Sequence, residues 1–370
     1  MVNFNIDYSG VRGRLVECPP QCGMCCLCQP EVLPEEKPYF EKNHPESLVK
    51  TRSPYPYTAL AMKKGRGSCV FLNGRRCKIY EHRPAYCRQF PIHIYAGEKI
   101  SAELDLSCRG AWTGRGTDAE TEAKKIAEAA SGRIHKAFRE SKKVYDEFYG
   151  NCMMAGVMGD PAALRGSISD SLYKFTDPGY LGAVLETSLT EDSMGLEKIR
   201  NFRPFGSETE ETARAAAMDS MSAEDPLSLP VYCDSEWNWN MFRAGNGRIE
   251  WMVMDDDGDL ESKDSSPASE IPLKPPEGDG KDVLAQYISV LNGRESFMGS
   301  VFSNMDAGGY EDSMSNSYYG TVAVSVLDLM WRASVLDHFM GTGTGAEGIR
   351  EAVIFYDMDR LDAPSIGAFV

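Results

Sequence analysis

With 370 residues, 42% of them hydrophobic and 25% charged, the chain has ordinary globular composition and enough apolar material for a core, which excludes a disordered or fibrous polymer. It is too long for one ordinary core, so two domains are expected. Its 39 Lys and Arg against 55 Asp and Glu leave a formal net charge of −16. That balance argues against a general nucleic-acid or anionic-membrane binder, because phosphate contacts need clustered cations.

Residues 1–7 show no basic stretch followed by an apolar run, so no signal peptide is expected. No segment approaches the roughly 18 uninterrupted apolar residues of a membrane helix. The longest, 321–340, carries Asp328, Arg332, Asp337 and His338 and reads as a buried helix. A cytoplasmic location follows, where cysteines stay reduced and serve as ligands or catalysts more often than as disulfides. Nine of the 11 cysteines lie before residue 110, and only Cys152 and Cys233 lie beyond.

Residues 1–116 are rich in Cys, Pro, Gly and Arg and poor in periodic pattern, which suits a small domain held by metal. Its first cysteine run is Cys18-Pro19-Pro20-Gln21-Cys22-Gly23-Met24-Cys25-Cys26-Leu27-Cys28. Cys-x-x-Cys brings two thiolates to one metal because the turn between them aims N–H groups at sulfur, and Gly23 permits the tight geometry. Adjacent Cys25 and Cys26 are expected to diverge, each serving a different metal or one held in reserve. A hairpin turning at Asn73-Gly74 follows, flanked by Cys69 and Cys77. A three-residue turn would place both cysteines on one face, and a two-residue turn would not. Next come Arg83-Pro84-Ala85-Tyr86-Cys87-Arg88-Gln89-Phe90-Pro91 and Cys108-Arg109-Gly110.

Capping-box spacing at Thr117–Glu120 opens a predicted helix over 118–149, stopped by Gly150 with a kink at Ser131-Gly132, which would buttress the cysteine domain. Asp160-Pro161 reads as a cap and first turn. Residues 208–221 read as helix and 229–262 as strands around an Asn246-Gly247 hairpin turn. Residues 262–282, with four prolines, read as an exposed linker. A helix over 283–291, the apolar helix 321–340 and an element over 349–358, helix or strand, complete the chain. No internal repeat is visible. The fold class is therefore α+β: a metal-stabilised cysteine-rich domain with its buttressing helix over 1–150, then a mixed α+β domain over 151–370 of unassigned role.

The ordered motifs resemble the CxxCxxCC cysteine-cluster family of zinc- or iron-chelating domains. Its early Cys/Cys/Cys-Cys cluster, Cys-x-Phe-Leu, Cys-x-Ile-Tyr, Arg-Pro-x-x-Cys-Arg-x-Phe-Pro and late Cys-x-Gly match Cys22/Cys25/Cys26, Cys69–Leu72, Cys77–Tyr80, Arg83–Pro91 and Cys108–Gly110. Cys28 departs from the pattern. The resemblance implies metal held by Cys18, Cys22, Cys25, Cys26, Cys69, Cys77, Cys87 and Cys108, and leaves the metal and the activity open. Eight thiolates suffice for two four-thiolate sites or one site and a redox pair. Their number and spread favour an iron–sulfur cluster over zinc.

Arg75, Arg76, Arg83, Arg88 and Arg109 offset thiolate charge in an otherwise acidic chain, although Glu81 and Arg83 also suit a plain ion pair. Cys152 and Cys233 read as buried hydrophobes, and His82 and His93 as non-ligands. Gly343–Gly348 has the form of a nucleotide loop without the preceding strand, so a connector is expected. Asp255–Asp259 reads as a turn lacking the late Glu of a calcium loop, and Glu236–Trp239 as alternating strand. No base, nucleophile or cofactor loop stands out, so catalytic residues are unassigned. The expected role is electron transfer or assistance to a protein partner or substrate. The rivals are a metal-dependent protein-modifying enzyme, methylase-like or redox, and a zinc-stapled structural protein.

Overall fold

The computed structural model describes residues 5–51, 56–223 and 228–370. Two four-stranded sheets and a set of helices make it α+β. In the first sheet, Ile92–Ala96 and Ile100–Leu104 form an antiparallel hairpin. Ile6–Asp7 adds in parallel to one edge and Ala368–Phe369 antiparallel to the other, so chain residues near both ends complete it. The second sheet is a meander of Val231–Cys233, Trp239–Gly245, Arg248–Met254 and Leu260–Pro267. Its hairpin turns at Asn246-Gly247, both at positive φ as a tight primed turn requires.

The helix Met314–Met340 lies at the centre, packed by Pro178–Thr190, Ser207–Ser220 and Ala346–Leu361. It is apolar on nearly every side, as a helix enclosed by others must be. Its charges are neutralised internally. Arg332 bonds Asp328 at 2.8 Å, Asp359 at 2.6 Å and the Ser220 hydroxyl at 2.7 Å. Gly341 in the left-handed region ends it. Among the described residues, no helix is long and apolar enough to cross a membrane. The largest apolar cluster draws on both sides of residue 150, joining Ile94, Leu104 and Leu106 to Phe302, Tyr287 and Phe355.

Several local readings change. The expected helix over 118–149 is two helices, Ala119–Ala129 and Ser131–Ala155, broken at Ala130. Asp118 caps the first by accepting from Thr121 N at 2.8 Å. The second passes through Gly150 and stops at Gly156, where φ is +74°. Tyr145, Phe148 and Cys152 bury one face across that glycine, and such packing outweighs a penalty of about 1 kcal/mol. The expected linker 262–282 is ordered: Leu260–Pro267 is strand, and Ile271 and Leu273 are buried between the prolines. Ser334 Oγ accepts from Lys274 N at 2.9 Å, and Trp331 Nε1 donates to Ile271 O at 3.2 Å, fixing the segment to the central helix. Residues 349–358 lie in the helix Ala346–Leu361. Trp237 sits at positive φ in a turn, so residues 236–239 are not one alternating strand.

One buried carboxylate ties the first sheet to the helices. Asp357 accepts both terminal N–H groups of Arg294 at 2.7 Å, the Tyr287 hydroxyl at 2.6 Å and Leu106 N at 2.6 Å, while Arg294 also donates to Leu104 O at 2.7 Å. Removing one partner of such a pair leaves a buried charge uncompensated. Asp357→Ala is therefore expected to cost about 3–5 kcal/mol, read as a lower urea midpoint at unchanged slope.

Candidate metal centre

The first cysteine run is a succession of tight turns. Cys22 N donates to Pro19 O at 3.3 Å, Gly23 sits at φ +62°, and Met24–Cys26 is a short 3-10 turn closed by Cys26 N to Gly23 O at 3.0 Å. The second motif is stitched directly to it, because Cys69 N donates to Cys26 O at 2.8 Å. The hairpin turns one residue later than expected. Gly74 and Arg75 occupy it at positive φ, and Leu72 pairs with Cys77. Cys69 lies outside that ladder and bridges Met62 instead. The same-face test therefore does not arise. Cys87 rides on the helix Ala85–Gln89, and Glu36 Oε1 accepts from Ala85 N at 2.8 Å. Gly110 lets the 108–111 turn lie against residue 17, since a Cβ there would stand 1.8 Å from Glu17 O.

At Cys22, Cys69, Cys77 and Cys108 the backbone N–H two residues ahead, of Met24, Phe71, Ile79 and Gly110, favours thiolate over thiol. Desolvation works against it. Loss of solvent pushes the thiols of Cys18, Cys69, Cys77, Cys87 and Cys108 up, Cys69 to about 11, and in each the nearby Cys25 thiolate adds to the rise. Sulfurs from residues 18 to 108 thus act on one another through charge. The neighbouring Cys26 S–H holds the Cys25 thiol down, and the same pairing pushes Cys26 up.

Three of the five arginines named from the sequence reach these sulfurs. Arg83 opposes the rise at Cys18, Cys77 and Cys87, and Arg109 and Arg75 help hold Cys22 down. Arg83 also donates to Tyr80 O at 2.9 Å and stacks over that ring, rather than pairing with Glu81. Arg88 pairs with Glu36. His82 packs on Tyr39, and His93 Nε2 stands 3.6 Å from Asp105.

The sequence did not point to Cys233. Its S–H donates to Asp234 O at 3.9 Å, and the nearness of the two thiols holds Cys22 down and pushes Cys233 up. Cys233 is buried as expected, but against a cysteine of the cluster, and no sequence spacing marks a contact between residues so far apart.

A cavity of about 440 Å³ opens beside the cluster, lined by Cys25, Cys28, Cys87, His93, Asp105 and Asp362 among others. The acidic stretch Asp255–Asp259 is a turn, as its sequence indicated, with Asp255 Oδ1 accepting from Asp257 N and Asp259 N at 2.9 Å. Its other carboxylates clasp the cysteine segment: Asp256 pairs with Arg75 at 3.2 Å, Asp257 with Lys64 at 3.2 Å, and Asp259 with Lys64 at 2.7 Å and Arg66 at 2.5 Å. Gly343–Gly348 is the connector into the helix Ala346–Leu361.

Among the described residues, no three or more His, Cys, Asp or Glu side chains are grouped so as to hold a metal ion as placed. The thiols are gathered without forming a closed coordination shell. Their chemistry nonetheless suits one: desolvated, mutually repelling thiolates supplied with N–H donors gain most from a cation. Residues 17–109 match the family model CxxCxxCC, described as "Putative zinc- or iron-chelating domain". The match supports metal binding, and residues 110–370 lie outside it. No curated protein and no solved structure matches the chain.

Two outcomes follow. Gly110→Ala should destabilise by about 1–3 kcal/mol, as forced overpacking does, while Gly132→Ala, where a Cβ meets nothing within 4 Å in a helix, should not lower the denaturation midpoint. Asp362 is solvent-exposed, yet crowding of its carboxylate by protein and then the Asp105 carboxylate push it up to about 6. A carboxyl raised above its unfolded value stabilises the fold at low pH, and that contribution fades as pH rises through 6. Asp362→Asn should therefore raise the melting temperature at pH 7.5 more than at pH 5.

Proposed function

We propose that the cysteine cluster holds metal, as an iron–sulfur centre in preference to zinc, and that the protein is a cytoplasmic electron-transfer or accessory factor. Residues 151–370 then dock a protein partner or substrate. The observation that carries this reading is the match of the ordered cysteine motifs over residues 17–109 to a zinc- or iron-chelating domain, with the second motif bonded to the first through Cys69 N and Cys26 O at 2.8 Å. The ligands in this reading are Cys18, Cys22, Cys25, Cys26, Cys69, Cys77, Cys87 and Cys108. The preference for iron–sulfur rests on their number and spread. When bound, such a cluster supplies one-electron chemistry. Zinc would supply only a staple.

A second reading, a metal-dependent protein-modifying enzyme, is favoured by the cavity, because Cys25 and Cys87 lie on its wall. A metal that works on a substrate needs an open approach of this kind. Saturable binding of S-adenosylmethionine would move the assignment to a methylase-like enzyme.

Anaerobic purification followed by iron, zinc and sulfide analysis with an absorption spectrum tests the first reading. The expected outcome is coloured protein with iron and sulfide in comparable amounts. Colourless protein with stoichiometric zinc would establish the staple instead. Alanine at Cys22, Cys77 or Cys87 should lose metal, and alanine at the buried Cys152 should not. Wild-type protein devoid of metal after anaerobic preparation would overturn the proposal.

A further inference from the structure

In a chain of net charge −16, one surface segment carries the opposite sign. Between Ser131 and Lys143 stand five cations, Arg133, Lys136, Arg139, Lys142 and Lys143, against one carboxylate, Glu140. The helix Ser131–Ala155 buries Ile134, Ser141 and Tyr145, while Lys136, Arg139 and Lys143 recur at helical spacing on its opposite, exposed face. Lys142 flanks them and is exposed as well. Among the described residues these four cations form no ion pair, whereas Lys124 and Lys125 on the preceding helix are neutralised by Glu120 and Glu122 at 2.7 Å. Asp146 and Glu147 close the stripe one turn on. At its other end the stripe reaches the cysteine domain. The Arg133 guanidinium lies 5.5 Å over the ring of Tyr86, which precedes Cys87 and lines the same cavity. Ser141 donates to Ala96 O at 2.7 Å, which lays the helix along the strand Ile92–Ala96 that follows the Cys87 motif.

We propose that this stripe docks an acidic one-electron carrier protein. This deepens the electron-transfer reading and rests on it. From Lys136 to Lys143 the stripe is only about 10 Å long at helical rise. A nucleic-acid duplex or an anionic vesicle would extend past it onto Glu140, Asp146 and Glu147, whereas a compact protein with one acidic patch meets the cations alone. Solvated, unpaired Lys and Arg steer such an encounter without holding it long, which fits the small interfaces of electron-transfer partners. The position of Arg133 over Tyr86 brings the carrier in beside Cys87.

The test measures binding of full-length protein to oxidised plant-type ferredoxin and to flavodoxin, two acidic carriers, by calorimetry at about 20 and about 200 mM salt. Wild type should bind at least one of them and weaken at least tenfold at the higher salt. The triple variant Lys136→Glu, Arg139→Glu, Lys143→Glu should bind at least tenfold more weakly at low salt. Changing the exposed Lys174, Arg200 and Lys281 to Glu alters the net charge equally and should leave binding as in wild type. Equal loss in both triple variants would assign the effect to net charge and overturn the proposal, as would salt-independent binding or binding to neither carrier. Capture by phosphatidylserine vesicles or duplex DNA, with neither carrier bound, would refute it in favour of a phosphate-binding surface. Should the stripe variant lose its helical circular dichroism, acetylation of wild type decides. Protection of Lys136, Lys142 and Lys143 by the carrier supports the docking site, and unchanged labelling refutes it. Binding is read with no electron passing, so protein that docks the carrier yet purifies without iron would refute the electron-transfer reading and leave the surface standing.

Discussion

The Asp357 carboxylate is the constraint on which the site depends. It is fully buried and takes up four donors: two from Arg294, one from Tyr287 and one from the backbone of Leu106. A lone carboxylate there would be too costly to bury, and the paired one is stable only while all its partners stay in place. Because one partner is backbone two residues before Cys108, the chain entering the last cysteine has no freedom to drift. Two turns earlier on the same helix, Glu351 receives Arg109 and the Tyr232 hydroxyl, fixing the chain just after Cys108 and just before Cys233. The helix Ala346–Leu361 therefore works as a spine, setting two distant thiols through two buried acid–base contacts.

The opposite flank is held by exposed charge. The Asp255–Asp259 turn grips Lys63, Lys64, Arg66 and Arg75, and Ser68 donates to Asp256 O at 2.8 Å. Ion pairs of this exposure contribute little individually. Close approach makes the contact specific: a Cβ on Gly67 would stand 2.3 Å from the Asp257 carbonyl carbon. The local acidity of a chain with net charge −16 is thus partly spent on the one basic loop beside the cysteines.

Features governed by local chemistry could be read from the residues alone. Asp160 caps a helix where its side chain finds an N–H group, although the first helix is capped by Asp118, one residue past the expected Thr117; Asn246-Gly247 turns the meander, and the ordered cysteine motifs identified their family. What escaped depends on partners far away in sequence. The proline-bearing stretch 262–282 looked solvent-exposed until Ile271 and Leu273 found the central helix. Gly150 looked like a stop until Tyr145, Phe148 and Cys152 packed across it. Ile349–Met358 fits either period, and only its enclosure by other helices decides. Cys233 is silent in the sequence because Cys22, with which it shares an apolar cluster, lies far away along the chain.

Charge balance gives the cluster its chemical direction. Three guanidiniums reach the sulfurs, and more thiols than that feel one another through a poorly solvated interior. Without further positive charge most of those thiols must stay protonated, since like charges brought together out of water raise one another. The backbone donors at Cys22, Cys69, Cys77 and Cys108 point the other way and favour the thiolate. Metal held at these thiols would supply positive charge, and its binding would release protons from the sulfurs it takes up.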